Sequence, residues 1–140
     1  MQDDGLLVRP GVEAYMGYDY VRASLRGGGA AGAALAALAN PELVGNGGLS
    51  LRGARGMEAV ARRHARAARE LFSGLPQELP EDVFFARFAA ADGFAVAPAA
   101  AAGRFASEQV LTPGCLGFHK FWPYHPARDA EAFFRAAHAG

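Results

Sequence analysis

The chain has 140 residues, 51% hydrophobic and 20% charged, which is enough for one domain with a core and too few for two. Lys plus Arg number 14 and Asp plus Glu number 14, so the formal net charge is zero and the basic excess of a nucleic-acid-binding domain is missing. A single cysteine, Cys115, excludes an internal disulfide framework, no Cys/His spacing reads as a structural zinc site, and the longest apolar run, the Ala-rich residues 30–39, is too short to span a membrane.

In chain order, residues 2–8 read as the end of a strand, with Leu6, Leu7 and Val8 apolar and Pro10-Gly11 as punctuation. Residues 12–16 predict one helical turn, and Tyr18-Asp19-Tyr20-Val21 a short strand. Residues 26–40 are low in complexity and read as an Ala/Gly-rich loop, with a weak Ala-rich helix as the alternative. Leu49-Ser50-Leu51-Arg52 alternates apolar and polar, as a half-buried strand does. Residues 57–72 predict the clearest helix. Val60, His64 and Leu71 mark one face, Arg62, Arg63, Arg66 and Arg69 the other, and Gly74 stands where a cap glycine would. Pro80-Glu81-Asp82 opens a second helix that runs to Ala91 and ends at Asp92-Gly93. Residues 94–96 and 105–111 predict strands, residues 117–122 a short aromatic segment, and residues 128–138 a terminal helix. The acidic Met1-Gln2-Asp3-Asp4 start lacks the basic and apolar segments of a secretory leader. Nucleophile-elbow, Walker, dinucleotide and zinc-protease patterns are missing.

Five groups of residues carry possible chemistry, each beside a plainer reading. Asp3-Asp4-Gly5 at a strand end places two carboxylates where they hold a hard divalent cation, or is a solvated terminal charge pair. Gly45-Asn46-Gly47-Gly48 leaves room for a sugar ring whose hydroxyls the Asn46 amide bonds, or is a tight turn before a strand. Glu81 and Asp82 offer a carboxylate that takes a proton from an incoming hydroxyl, or are the usual acids of a first helical turn. In Gly117-Phe118-His119-Lys120-Phe121-Trp122 the imidazole is a candidate metal ligand, Lys120 a partner for phosphate, and Phe121 and Trp122 stacking faces for a sugar; the plainer reading is a buried aromatic cluster. Glu108, in Phe105-Ala106-Ser107-Glu108, is a candidate to orient a substrate or a group that contacts it, with a structural role as the favoured plainer reading, and Cys115 reads as a small buried hydrophobe.

Taken in order, these segments resemble a family of glycosyltransferase-like proteins named only as a domain of unknown function. Its pattern runs Gln-x-Asp-Gly, Tyr-Asp-Tyr-Ile-Gly-Ala, Val-Gly-Asn-Gly-Gly-Phe-Ser-Leu-Arg, Pro-Glu-Asp, Phe-Ser-x-Glu and Phe-Gly-x-His. The matching residues here are Gln2 to Gly5, Tyr18 to Val21, Val44 to Arg52, Pro80 to Asp82, Phe105 to Glu108 and Leu116 to His119. The order is also similar to that of GT-A galactosyltransferases. The resemblance implies an α/β fold: one partial GT-A-like domain over residues 1–140, a mixed sheet with flanking helices, with most of the nucleotide-binding half missing. It implies a metal-dependent transfer of sugar from a nucleotide-sugar donor to a carbohydrate or glycoconjugate acceptor. In that scheme Asp4, Asp3 and His119 would bind Mn2+ or Mg2+, Asp82 would be the general base with inversion at the anomeric carbon, and Glu81 would position the acceptor. Asn46, Gly47, Gly48, Lys120 and Trp122 would contact substrate. The family's Ile-Gly-Ala-Pro-Trp is Val21-Arg22-Ala23-Ser24-Leu25 here, which removes an aromatic expected to stack on the acceptor. The alternatives are a non-catalytic carbohydrate-binding or interaction remnant and, further off, a hydrolase using Glu81, Asp82 and Glu108. Either Golgi or cytoplasm suits the parent protein.

Overall fold

The computed structural model describes residues 5–23, 48–73, 81–120 and 122–138, and the predicted loop at 26–40 lies outside them. The strands are β1 (Gly5–Leu7), β2 (Tyr20–Arg22), β3 (Ser50–Arg52), β4 (Ala106–Ser107) and β5 (Gly117–His119). The α-helices are α1 (Ala54–Phe72), α2 (Glu81–Ala91), α3 (Ala99–Phe105) and α4 (Ala127–His138), with a 3-10 turn at Val12–Tyr15. The architecture is mixed α/β. One sheet has the order β1-β5-β4, with β5 antiparallel to β1 and parallel to β4. A second pairs β2 antiparallel with β3.

Alternation along the strands distributes the core. On β2, Tyr20 packs in a cluster with Met57 and Val60 of α1 and Ala86 and Phe88 of α2, while Val21 packs on the other side with Phe105 of α3 and Leu49. On β5, Phe118 points to α4, its ring 5.1 Å from that of Phe134 and 6.3 Å from that of Phe133. Gly117 and His119 face the opposite side, where residues 48 and 49 run. A Cβ on Gly117 would come within 2.7 Å of Leu49 Cδ2 and 2.6 Å of the Leu6 carbonyl oxygen, so glycine is required there by close approach.

The helices α1, α2 and α4 follow the sequence closely. The α1 helix buries Met57, Val60 and Ala68 at helical spacing and turns Arg62, Arg63, Arg66 and Arg69 outward. His64 stacks on Phe88 at 4.4 Å and hydrogen-bonds Asp92 Oδ1 at 2.8 Å, tying α1 to the end of α2. Gly93, at φ 80°, terminates α2 in the left-handed region that glycine tolerates. In Tyr18-Asp19-Tyr20 the middle residue ties segments together. Asp19 Oδ2 accepts from the Ala95 amide at 2.9 Å, and the Asp19 carbonyl accepts from the Gly53 amide at 2.8 Å.

Two expected strands come out differently. Residues 94–96 contribute a single bridge, Val96 to Tyr20. The strand expected over 105–111 is only Ala106–Ser107, because the preceding Ala-rich run after Pro98 forms α3 up to Phe105. Ser107 then ends the strand: its hydroxyl accepts from the Thr112 amide at 2.8 Å and turns the chain.

Candidate functional site

The registers of β5 with its two neighbours surround His119. The antiparallel pairing sets Gly5 opposite His119. The parallel pairing sets Ser107 beside Phe118, so the next residues, Glu108 and His119, come together at the strand ends. His119 Nδ1 lies 3.0 Å from Glu108 Oε2, and the two residues are 3% and 1% exposed. Against an ionised carboxylate Nδ1 must carry the proton, so in the neutral ring Nε2 holds the lone pair. The ring packs against Gly48: a Cβ built there would fall onto Nε2, Cδ2 and Cε1 of His119. The Glu108 carbonyl also accepts a hydrogen bond from His125 Nε2 at 2.8 Å, tying in the turn that follows β5. Between these, Lys120 adopts φ 44°, an uncommon conformation for a residue with a side chain.

A second polar group gathers at the start of α2. Two arginines from neighbouring strands meet its first two acids. Arg52 of β3 bonds Glu81 Oε1 through Nη2 at 2.8 Å and Ser50 Oγ through Nε at 2.9 Å. Arg22 of β2, 1% exposed, donates from Nη1 to the Asp82 carbonyl and lies 4.0 Å from Asp82 Oδ2. The buried Tyr20 ring sits under both guanidinium groups, at 5.1 Å from Arg22 and 5.5 Å from Arg52. Burial raises the Tyr20 hydroxyl above its ordinary pKa against the opposing pull of Arg22 and Arg52. Burial lowers Arg22, and Tyr20 and Asp82 act against that. Partial burial raises Glu81, but the hydrogen bond and charge of Arg52 outweigh it and hold the carboxyl below the usual range.

Of the residues singled out in the sequence, Asp3, Asp4, Asn46 and Gly47 lie outside the described residues. The structure brings Gly48, Glu108 and His119 together, and it places Glu81 and Asp82 in the arginine group. Glu81 is exposed, whereas Asp82 keeps 12% of its side-chain surface and its Oδ1 accepts from the Val83 amide at 2.8 Å. Trp122 is 52% exposed on the turn past β5. Cys115 is buried between Ser107 Oγ at 3.2 Å and the Gly117 carbonyl at 2.9 Å, and burial pushes its thiol up. Sequence reasoning favoured a structural role for Glu108 over one in orienting another group, and it missed Arg22, Tyr20 and Arg52 as a group. The available signal was a charged residue between the apolar Val21 and Ala23.

A family model described as protein of unknown function (DUF5672) matches residues 1–119. The chain belongs to this family. The DUF5672 match contains Gly48, Glu108, His119 and the whole arginine group, and it ends on His119, so Lys120, Trp122 and α4 lie past it. None of the curated proteins and none of the solved structures compared with it matches the chain. No helix among the described residues is long and apolar enough to cross a membrane.

Among the described residues no group of three or more His, Cys, Asp or Glu side chains is arranged to hold a metal. What they offer is one imidazole of the right kind. A carboxylate on Nδ1 is the usual support for a histidine that ligates through Nε2. The imidazole itself fills the space that a Cβ at Gly48 would take, so the glycine accommodates the ring rather than a further group. The donor set is therefore suited to one ligand position, and Asp3 and Asp4 immediately precede Gly5, the residue opposite His119.

Proposed function

We propose that the chain is the acceptor-side part of a GT-A-like, metal-dependent glycosyltransferase that moves a sugar from a nucleotide-sugar to a carbohydrate hydroxyl. The observation that carries this reading is the Glu108–His119 pair, 3.0 Å apart and buried, beside Gly5 and against Gly48. His119 with Asp3 and Asp4 would hold a divalent cation, which when bound neutralises the charge of a departing nucleoside diphosphate. Glu108 fixes the imidazole's tautomer and orientation. Gly48 lets the imidazole pack against the backbone, and Asn46 and Gly47 belong to the same sugar-facing segment. Asp82 is the base that takes the acceptor proton, and Glu81, held by Arg52, positions the acceptor. Lys120 and Trp122 add a charge for phosphate and a face for a sugar.

A non-catalytic, carbohydrate-binding role is the second reading. It draws on one observation: both acids of α2 are already engaged by arginines. The test is a thermal-shift panel of UDP-, GDP- and CMP-sugars with and without manganese, followed by assay of sugar release and transfer. The transferase reading expects one nucleotide class to stabilise the protein only with metal, with the shift lost in Asp4→Ala and His119→Ala. Binding without turnover supports the second reading. No shift with any donor refutes the first.

A further inference from the structure

Arg22 is a charged side chain placed where an apolar one would be expected, between Val21 and Ala23 on a strand whose three residues are all buried. Its guanidinium holds one residue twice: Nη1 donates to the Asp82 carbonyl and lies 4.0 Å from Asp82 Oδ2. The other carboxylate oxygen is fixed by the Val83 amide at 2.8 Å. The Tyr20 hydroxyl, 3.4 Å from the same Nη1, limits where the guanidinium can swing. This grip leaves a defect, since Arg22 Nε is buried with no hydrogen-bond partner among the described residues. A buried donor without an acceptor is unfavourable and calls for a reason. An ion pair this buried is also a poor stabiliser compared with apolar packing of like volume. Orientation of the carboxylate supplies the reason.

We propose that Arg22 is a positioning residue for Asp82, holding its carboxylate in the one orientation from which it takes the acceptor proton. The inference rests on the transferase reading and goes beyond it in assigning Arg22 and Tyr20. The test is steady-state transfer by Arg22→Lys with the donor that the wild type uses. Lysine keeps the charge but ends in a flexible ammonium at a different reach, so it does not reproduce the placement of Nη1 between the Asp82 carbonyl and carboxylate. The expected result is a kcat lower by about 10²-fold, the scale of a misplaced reacting group, with KM for the donor and the thermal midpoint unchanged. Guanidinium ion should restore part of the turnover of Arg22→Ala. If the Arg22 variants do not fold, Tyr20→Phe, which removes only the hydroxyl beside Nη1, should lower kcat without raising donor KM. Wild-type kcat in a folded Arg22→Lys or, failing that, in Tyr20→Phe overturns the inference. So does a loss of kcat that only follows a loss of stability. A wild-type protein that transfers no sugar from any donor sinks the transferase reading and this inference with it, whereas wild-type turnover with unaffected variants sinks the inference alone.

Discussion

Gly48 and the imidazole of His119 share a space in which there is no room for a methyl group. The obstacle is a ring that is itself held by Glu108, so it cannot step aside without losing that bond. Gly48→Ala should therefore displace the ring and destabilise the fold by about 1–3 kcal/mol, the usual cost of overpacking. A shifted denaturation midpoint measures the stability loss. Nuclear magnetic resonance of the His119 ring should show it in a new environment, and an unchanged ring signal would contradict the geometry.

Glu108 is the anchor of that ring and is 1% exposed. Replacing it with alanine strands a buried imidazole nitrogen, which costs about 1–3 kcal/mol. Glu108→Gln keeps an acceptor within reach of Nδ1 and should recover much of that loss. Any manganese-dependent stabilisation of the wild type should weaken about 10–100-fold in apparent affinity in Glu108→Ala, as when an outer partner of a ligating histidine is removed. Parallel melts in metal and in chelator read both effects.

Acid should loosen the two tethers of α2 in a definite direction. The Glu81 carboxyl lies below its ordinary 4.5 because Arg52 outweighs the effect of burial. The Asp92 carboxyl lies below its ordinary 3.8, chiefly through the hydrogen bond from His64, with Arg63 adding to it. A carboxyl depressed in the folded state contributes stability above its unfolded value and loses it as pH falls through the folded one. Stability should thus decline below about pH 4.5. The deficits of Arg52→Met and Asp92→Asn relative to wild type should shrink over the same range. The Glu81 share is small, because that pair is exposed to solvent. Thermal midpoints followed from neutral to acid pH check the sign, and a gap that widens on acidification would refute it.

Cys115 should be unreactive in the folded protein. Its thiol is buried, donates to the Gly117 carbonyl, and is pushed above its ordinary pKa by burial, so little thiolate forms and reagents have no access. Modification by a disulfide reagent should become fast only in denaturant. Rapid labelling of the native chain would contradict this.

Much of the fold was legible because it is local. The spacing of Val60, His64 and Leu71 against Arg62, Arg63, Arg66 and Arg69 predicts α1, and Pro80 followed by two acids predicts the start of α2. The helix α3 was missed because alanine carries no periodic contrast, and the strand over 105–111 was overextended because the side-chain turn of Ser107 leaves no trace in hydropathy. In the candidate site, His119 and Gly48 stood out singly, but their contact depends on strand register, which no single segment contains. The Arg22–Asp82 and Arg52–Glu81 pairs were invisible for the same reason, since each joins a strand to a helix distant in sequence.

The position of β5 has a kinetic consequence. Its two neighbours are β1, from the opposite end of the described chain, and β4, only a short turn away. Local pieces such as the α1–α2 pair can form while β1 is still unpaired, but the union of β1 with β5 must close one of the longest loops among the described residues, and that closure entropy has to be met before the pairing is gained. His119 sits in that seam, so its pairing with Gly5 comes only when the loop closes, whereas its bond to Glu108 needs only the local β4–β5 pairing. A change that weakens the Gly5–His119 pairing would thus slow the closing of that seam while leaving the local Glu108–His119 contact able to form.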